Sequence, residues 1–290
     1  MTASRRVILI TGCSSPQGIG YASARALAGR GHAVHATVRD HSHDDSLRAG
    51  LEGELTIHDL DLLDPATVGS ALAETIEADG PPDVLVNNAG YGLIGGVEQV
   101  RLDRVRAVFE TNVFATLALT QAVLPAMRRR RRGHVINVST IFDAGLCLPG
   151  LGYYVASKAA LESVAQALAV EVAPWNIRVT NFQPGPVMTE LSREWGDRLE
   201  GPDDPRPGLN DELYAWVLGG AGPEAQPPEQ VAEALCDLVE SEAPPLAWQS
   251  GPAARGYAVR ALHDPTRANE LEPLLEAFAA TSTARETPGP

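Results

Sequence analysis

Lysine, cysteine and long apolar runs are scarce in this chain. Lys158 is the sole lysine, so the other 22 of the 23 basic residues are arginine. The three cysteines, Cys13, Cys147 and Cys236, lie far apart and form no CxxC pair. This pattern argues against a disulfide framework or a cysteine zinc site, and it favours reduced thiols in a cytoplasm. No run approaches the roughly 18 apolar residues that a membrane span needs.

Positive charge is also in short supply. Acidic residues number 37 against 23 basic ones, which gives a net charge of −14 at pH 7. A chain this acidic repels phosphate, so we expect no nucleic-acid partner. Five consecutive arginines occupy 128–132, just before Gly133. Because cations suit the last turn of a helix, we interpret them as a solvated helix end rather than an anion-binding patch.

Length and composition are those of a globular chain with a sizeable core. The 290 residues are 44% hydrophobic and 21% charged. Up to about residue 185, short apolar runs alternate with helical patterns, which predicts βαβ units and a doubly wound parallel α/β sheet. Neither a repeat nor a linker divides the chain. We therefore expect a single domain over residues 1–290.

The predicted strands span 7–10, 33–38, 55–58, 84–86, 134–138, 177–182 and 246–249. The predicted helices span 19–30, 65–78, 101–129 as one or two helices, 157–173, 229–240 and a region from 253 onward. Beyond residue 185 the chain becomes rich in Gly, Pro and acidic residues. We expect a helical substrate lid at about 188–225 and a C-terminal extension at about 251–290.

Two motifs stand at the carboxyl ends of predicted strands. The first is the turn Thr11-Gly-Cys-Ser-Ser-Pro-Gln-Gly-Ile-Gly20. Glycines there let backbone approach a pyrophosphate, and the following helix aims N–H groups at it, although a tight glycine turn without ligand reads the same way. The second is Asn87-Asn-Ala-Gly90, after the fourth strand, at the edge where open α/β sheets bind ligands.

The one lysine lies four residues after a tyrosine, in Tyr154-Val-Ala-Ser-Lys158. On a helix this spacing places both side chains on one face. An ammonium beside a phenol stabilises the phenolate and lowers the phenol pKa from about 10 toward neutrality. The pair therefore predicts a general acid–base that works at cellular pH, a task for which planar arginine is a poor substitute.

In this order the motifs resemble those of the short-chain dehydrogenase/reductase family, in its compact single-domain branch with a Rossmann fold, over about residues 5–190. The resemblance implies hydride transfer between a nicotinamide cofactor and a carbonyl or secondary alcohol. It implies that Tyr154 and Lys158 are the catalytic pair, with Lys158 also on the nicotinamide ribose, and that Asn112 holds a proton-relay water. The implied cofactor residues are Gly12, Ser14, Ser15, Gly18, Ile19 and Gly20 at the phosphates, Asp61 and Leu62 at the adenine, Asn88, Ala89 and Gly90 at the centre, and Pro184, Gly185, Val187 and Thr189 at the nicotinamide.

The chain departs from the family pattern at two places. Its glycine turn is two residues longer, as if Pro16 and Gln17 were inserted. The family's catalytic serine usually precedes the tyrosine by 13 residues, a position that Ile141 occupies here. With one residue gained in the following loop, we expect Thr140 to supply the catalytic hydroxyl, and Ser139 is the alternative.

The end of the second predicted strand bears on cofactor choice. The family places an acid there when the ribose has a free 2′-hydroxyl and a base when it has a phosphate. Here Val38 takes the acid position and Arg39 follows, suited to grip phosphate. The pattern predicts NADP(H), although Asp40 argues the other way.

The remaining expectations concern substrate, assembly and metal. Residues 190–225 carry nine acids and three bases, which favours a lipophilic carbonyl or alcohol over a strongly anionic substrate. The C-terminal part resembles the steroid- and retinol-type dehydrogenases, and small residues on the helix of Lys158 suggest a homodimer or homotetramer. We expect no metal. A catalytically silent NADP(H)-sensing protein on the same fold is the alternative, but such proteins typically lose the tyrosine or the lysine.

Overall fold

A computed structural model describes residues 4–51, 53–143, 147–187, 225–263 and 275–276. The strands are β1 (Val7–Ile10), β2 (Ala33–Val38), β3 (Leu55–Asp59), β4 (Val84–Asn87), β5 (Gly133–Val138), β6 (Ile177–Gln183) and β7 (Ala247–Gln249). They form one sheet in the order β3-β2-β1-β4-β5-β6-β7, with every pair parallel. The strand order reverses between β1 and β4, which is the point where open α/β sheets bind ligands.

Eight α-helices connect or flank these strands in the described residues. They are α1 (Ile19–Gly29), α2 (Asp44–Arg48), α3 (Pro65–Asp79), α4 (Leu102–Phe109), α5 (Thr116–Arg130), α6 (Gly152–Val172), α7 (Pro228–Glu240) and α8 (Pro252–His263). A π-helical turn, Glu110–Ala115, joins α4 to α5 without a break. Short 3₁₀ turns occupy Ile141–Asp143 and Ala173–Trp175.

Helices cover the sheet on both faces. Successive strand residues point to opposite sides, so each strand contributes side chains to both cores. On one face Ile8 and Ile10 pack with Leu27 of α1 and Leu235 of α7. On the other face the side chain of Leu9 packs in a second core that includes residues of α3, α5 and α6. Burial on both faces explains why the central strand β1, Val-Ile-Leu-Ile, reads as an unbroken apolar run. The doubly wound parallel sheet predicted from the sequence is confirmed.

Helix α6 begins five residues earlier than its apolar periodicity predicts. It starts at Gly152 rather than at 157, following Gly150, whose φ is 83°. Aromatic residues at its start have only modest helix propensity, which hid the first turn. The earlier start places Tyr154 inside the helix. In the sequence, apolar residues at three- and four-residue steps predict one apolar face of this helix, formed by Leu161, Val164, Leu168 and Val172. That prediction is partly wrong, because Leu161 and Val172 are buried while the side chain of Val164 is exposed.

The arginine run lies at the C-terminal end of α5, as expected. Its side chains make more contacts with the rest of the fold than a solvated helix end would. Arg130 pairs with Asp83 at 3.1 Å. Arg131 adopts a left-handed conformation with φ 51° at the C-cap, and Arg128 lies over the ring of Trp175 at 5.3 Å. These contacts tie the helix end to its neighbouring loops.

The helical stretch Leu102–Arg130 has the length and hydropathy of a membrane span, and within the described residues it is the single stretch to do so. Half of its apolar window is buried inside the fold. Leu119, Val123 and Met127 pack in the core beside the sheet, as the inner face of a core helix does. The absence of a membrane-spanning segment stays a prediction. The predicted lid lies outside the described residues except at Ala225, and α8 is the main described part of the predicted C-terminal extension.

Candidate active site

The glycine turn packs directly on the segment after β4, and glycine is required at two positions. Gly12 has a φ of 76°, and a Cβ there would lie 2.8 Å from the Cα of Ala89. A Cβ on Gly20 would lie 2.5 Å from the carbonyl oxygen of Gly12 and closer still to the amide of Asn88. Backbone is therefore bare where a phosphate would approach the N-terminus of α1, which fits a nucleotide cofactor.

Hydrogen bonds fix the two motifs to each other. The hydroxyl oxygen of Thr11 accepts from the backbone N–H groups of Asn88 and Ala89, at 3.0 and 2.9 Å. The side-chain amide of Asn88 donates back to the carbonyl oxygens of Thr11 and Gly12, at 2.8 and 3.0 Å. The predicted phosphate turn and the predicted central segment thus lie together at the carboxyl edge of β1 and β4.

The two extra residues of the glycine turn form a β-turn of their own. The N–H of Gly18 donates to the carbonyl oxygen of Ser15 at 2.9 Å, with Pro16 and Gln17 between them, and proline suits the second position of such a turn. Gly18 then serves as the N-cap of α1. The insertion therefore leaves the start of the helix intact.

Cys13 lies within this turn as a packing group. Its side chain is buried, and this burial raises the pKa of its thiol to about 12. At neutral pH the thiol is protonated and so is a poor nucleophile.

Tyr154 and Lys158 are both buried on α6, one turn apart, 8% and 5% exposed. The ammonium of Lys158 donates to the carbonyl oxygen of Val138 at 2.8 Å, at the end of β5. Gly90 closes the same space, since a Cβ there would lie 3.4 Å from the Lys158 Nζ and 2.8 Å from the Oδ1 of Asn112. The structure therefore brings Gly90, Asn112 and Lys158 together.

Asn112 lies in the π-helical turn and is buried. Its Nδ2 donates to the carbonyl oxygen of Tyr91 and to the hydroxyl oxygen of Ser157, both at 3.0 Å. The Ser157 hydroxyl donates in turn to the carbonyl oxygen of Tyr154 at 2.6 Å. Sequence reasoning missed Tyr91 and Ser157. The position of Ser157 directly before Lys158 was the one available signal.

Ser139 and Thr140 follow β5 and are both buried. The N–H of Ser139 donates to Phe182 of β6 at 2.8 Å, so the ladder continues through it. The Thr140 hydroxyl oxygen accepts from the N–H of Phe142 at 3.4 Å. Ile141, at the spacing usual for the family's serine, is 1% exposed and packs in an apolar cluster with Ala254.

The other predicted cofactor residues lie at the same edge of the sheet. Ser14 accepts, through its hydroxyl oxygen, from the N–H of Arg39 at 3.0 Å. Asp61 follows β3 and accepts from the N–H of Leu63 at 3.0 Å, which orders the turn containing Leu62. Pro184 and Gly185 follow β6, and Val187 forms a parallel bridge with Gln226. Thr189 lies outside the described residues, and Ile19 opens α1.

Comparison with known proteins finds consistent likeness. The model of the short chain dehydrogenase family matches residues 6–200. Human retinol dehydrogenase 8 is 34% identical over 268 residues, which is 86% of this chain and 83% of that protein. A short-chain dehydrogenase structure from Streptomyces avermitilis is 30% identical with a TM-score of 0.75, covering 99% of this chain and 100% of that one. A metagenomic short-chain oxidoreductase solved with NADP is 25% identical with a TM-score of 0.66, covering 86% of this chain and 98% of that one.

Proposed function

The chain belongs to the short-chain dehydrogenase family, oxidoreductases of alcohols and carbonyls that use a nicotinamide cofactor, and from that premise we propose an NADP(H)-dependent enzyme acting on a lipophilic ketone or secondary alcohol. The observation that carries this proposal is the buried pair of Tyr154 and Lys158 on α6, with the lysine anchored on the Val138 carbonyl. An ammonium enclosed beside a phenol favours the phenolate and so makes the tyrosine an acid–base group.

In the reductive direction Tyr154 donates its proton to the carbonyl oxygen of the substrate. The hydroxyl of Thr140, or in its place that of Ser139, donates a hydrogen bond to the same oxygen and stabilises the charge that develops there. Lys158 keeps the phenol acidic, and Asn112 holds the water through which the proton returns. When bound, the nicotinamide supplies the hydride.

The preference for NADP(H) rests on the loop after β2. Ser14 accepts from the N–H of Arg39 at 3.0 Å and from that of Asp40 at 3.4 Å. With both acceptor positions of its oxygen used, the hydroxyl proton points away from the backbone and is available to an anion. Arg39, whose backbone N–H makes the first of these bonds, carries an exposed guanidinium of the kind that suits bidentate contact with a ribose phosphate. The NADP complex of the metagenomic relative supports the same choice.

Two observations support a lipophilic substrate, and a third argues against an anionic one. Tyr154 lies in an apolar cluster with Ile94, Leu151 and Val155, so the proton donor has apolar surroundings. The relative named retinol dehydrogenase acts on a lipophilic alcohol. The acidic composition of residues 190–225 argues from sequence against a phosphate or coenzyme A ester.

The experiment is steady-state kinetics with NADPH and NADH against a panel of hydrophobic ketones. We expect a higher kcat/KM with NADPH, and we expect Tyr154→Phe to lower kcat by about 10³-fold while NADPH still binds. The variant Tyr153→Phe is the matched control, since Tyr153 donates to the Val97 carbonyl instead. A preference for NADH overturns the cofactor assignment. Rapid turnover of a coenzyme A thioester with no activity on neutral ketones overturns the substrate class.

A further inference from the structure

The segment 184–187, directly after β6, is held from both sides. On the side of β5, the N–H of Ile141 donates to the carbonyl oxygen of Pro184 at 3.0 Å. On the opposite side, the N–H of Gly185 donates to the hydroxyl oxygen of Ser250 at 3.3 Å. Its backbone is therefore anchored between the candidate catalytic loop and the residues that follow β7.

Gln226 adds a second anchor on the side of β7. Its backbone N–H donates to the carbonyl oxygen of Pro186 at 2.8 Å, and it forms a parallel bridge with Val187. The hydroxyl of Ser250 donates to the Oε1 of Gln226 in a short hydrogen bond. Ser250 thus accepts from Gly185 and donates to Gln226, so one hydroxyl links the two anchors.

These anchors are built into a tightly packed interior. Gln226 and Ser250 are 9% and 6% exposed. A Cβ on Gly251 would lie 2.8 Å from the Nε2 of Gln226, and one on Gly185 would lie 3.6 Å from the Cβ of Ala254. Gly251 therefore leaves no room for a Cβ beside the Gln226 amide, and that amide packs directly against the backbone after β7.

We propose that Gln226 and Ser250 are positioning residues, which set the nicotinamide half of the cofactor by fixing the backbone of residues 184–187. This inference rests on the proposed function, in which that segment covers the nicotinamide. Neither residue touches the reacting atoms. They act through the segment, and a displacement of about 1 Å at the reacting centre is enough to slow a reaction by about 10²-fold.

Comparing the binding of the whole cofactor with the binding of its adenosine half distinguishes this positioning role from a general effect on stability. NADPH carries the nicotinamide, whereas adenosine 2′,5′-bisphosphate carries only the adenosine half with its 2′-phosphate. In the proposed function the adenosine half would lie at the carboxyl ends of β1–β3, which are separated in the sheet from β6 and β7 by β4 and β5. Loosening segment 184–187 should therefore weaken the binding of NADPH and leave the binding of adenosine 2′,5′-bisphosphate unchanged.

The test is calorimetric titration of the full chain with each compound, together with steady-state kinetics. We expect Ser250→Ala to raise the Kd of NADPH about tenfold and to lower kcat about tenfold, with the Kd of adenosine 2′,5′-bisphosphate within about twofold of wild type. Gln226→Met, which lacks the acceptor, should behave the same way. Ser250→Thr keeps the hydroxyl and should restore NADPH binding. Ser241→Ala is the matched control, because Ser241 is the C-cap of α7 and lies at the other end of that helix from Gln226.

Equal weakening of NADPH and the fragment in both variants overturns the proposal, since it means general damage to the fold. Wild-type binding of both compounds in both variants overturns it equally. A wild-type chain that binds no nicotinamide dinucleotide overturns the proposed function itself. If NADH and ADP bind in place of the phosphorylated pair, the same comparison applies with those two compounds, and selective weakening of NADH supports the proposal.

Discussion

The side chain of Asn112 pairs with both backbone groups of Tyr91. Its Oδ1 accepts from the Tyr91 N–H at 3.1 Å while its Nδ2 donates to the Tyr91 carbonyl oxygen at 3.0 Å. The amide thus copies one rung of a β-ladder and fixes the chain after Gly90 to the π-helical turn. Positioning and stability are combined in one buried residue.

Asn112→Leu removes three hydrogen bonds, one of them fully buried and two partly buried, and leaves the backbone groups of Tyr91 without this partner. We expect the free energy of unfolding to fall by about 2–3 kcal/mol and kcat to fall at least tenfold. Urea titration and steady-state kinetics measure the two effects. Ser157→Ala removes the bond from Asn112 and the bond that the Ser157 hydroxyl donates to the Tyr154 carbonyl oxygen. It keeps both contacts between Asn112 and Tyr91, so it should show the smaller loss of stability. Wild-type kcat in Asn112→Leu would contradict the role given to this residue.

Thr140 and Ser139 make different predictions although both lie at the end of β5. If Thr140 holds the substrate oxygen, Thr140→Val lowers kcat by about 10²-fold or more with an unchanged cofactor Kd, whereas Ser139→Ala costs much less. Valine keeps the shape of threonine, so packing is conserved. The reverse order of the two variants would assign the catalytic hydroxyl to Ser139.

His134 makes the folded state sensitive to acid. Its Nε2 lies 3.0 Å from the hydroxyl oxygen of Thr180, whose own proton goes to the Pro245 carbonyl oxygen, so the Nε2 carries the hydrogen and the ring is neutral. Burial, and then the positive charges of Arg6 and Arg178, lower the pKa of His134 from 6.5 to about 3. The Nδ1, where a second proton would bind, has no partner in the described residues.

Below pH 6.5 the unfolded chain therefore binds a proton at His134, whereas the folded chain keeps the ring neutral. The free energy of unfolding decreases as the pH is lowered, until the pH reaches the folded-state pKa. The loss between pH 7.5 and 5.5 is about 1.4 kcal/mol from this residue. His134→Leu should show a smaller drop by about that amount in urea titrations at the two pH values. Identical pH dependence in both proteins would contradict the prediction, because it would mean that His134 has the same pKa in the folded and the unfolded chain.

We expect the surface groove between α5 and α6 to be the contact between subunits in an oligomer. Leu117, Leu124, Val164 and Leu168 line it, and the exposed valine gives it an apolar rim. We expect a second copy of the chain to cover this groove in a homodimer or homotetramer. Light scattering should show Val164→Glu shifted toward monomer.

Val170→Glu is the matched control for that experiment. Val170 lies on the same helix, is 75% exposed, and faces a different direction because six residues turn a helix by about 600°. The control should keep the wild-type assembly. A wild-type chain that is monomeric at micromolar concentration would contradict the prediction.

Local patterns predicted the sheet well, because its signals are local. The strand at 33–38 was bounded correctly since an apolar run ends at charged Arg39. Helix α2 was missed because Asp44, Asp45 and Ser46 carry no apolar period, and its one buried residue is Leu47. The other predicted helix starts lie within one residue of the observed ones, and α6 is the exception because it opens with residues that lack the later periodicity.

The site residues could be predicted where their chemistry depends on a spacing along the sequence. They could not be predicted where their contacts depend on how the fold packs distant segments together. Tyr154 and Lys158 share a helix face at a spacing that sequence displays. The bond between Asn112 and Tyr91 depends on a π-helical turn, and that between Gln226 and Ser250 joins segments far apart in the chain. Neither contact has a motif, because each arises when the fold brings unrelated segments together.

The buried ammonium of Lys158 also sets how this protein responds to reagents. Apart from a terminal amine, the chain offers amine-directed labels, cross-linkers and coupling surfaces a single ε-amino group, 5% exposed and hydrogen-bonded to the end of β5. Acylating reagents should therefore leave the side chains of the folded surface unmodified. Covalent modification of a lysine side chain becomes a direct measure of how often the interior around Tyr154 opens.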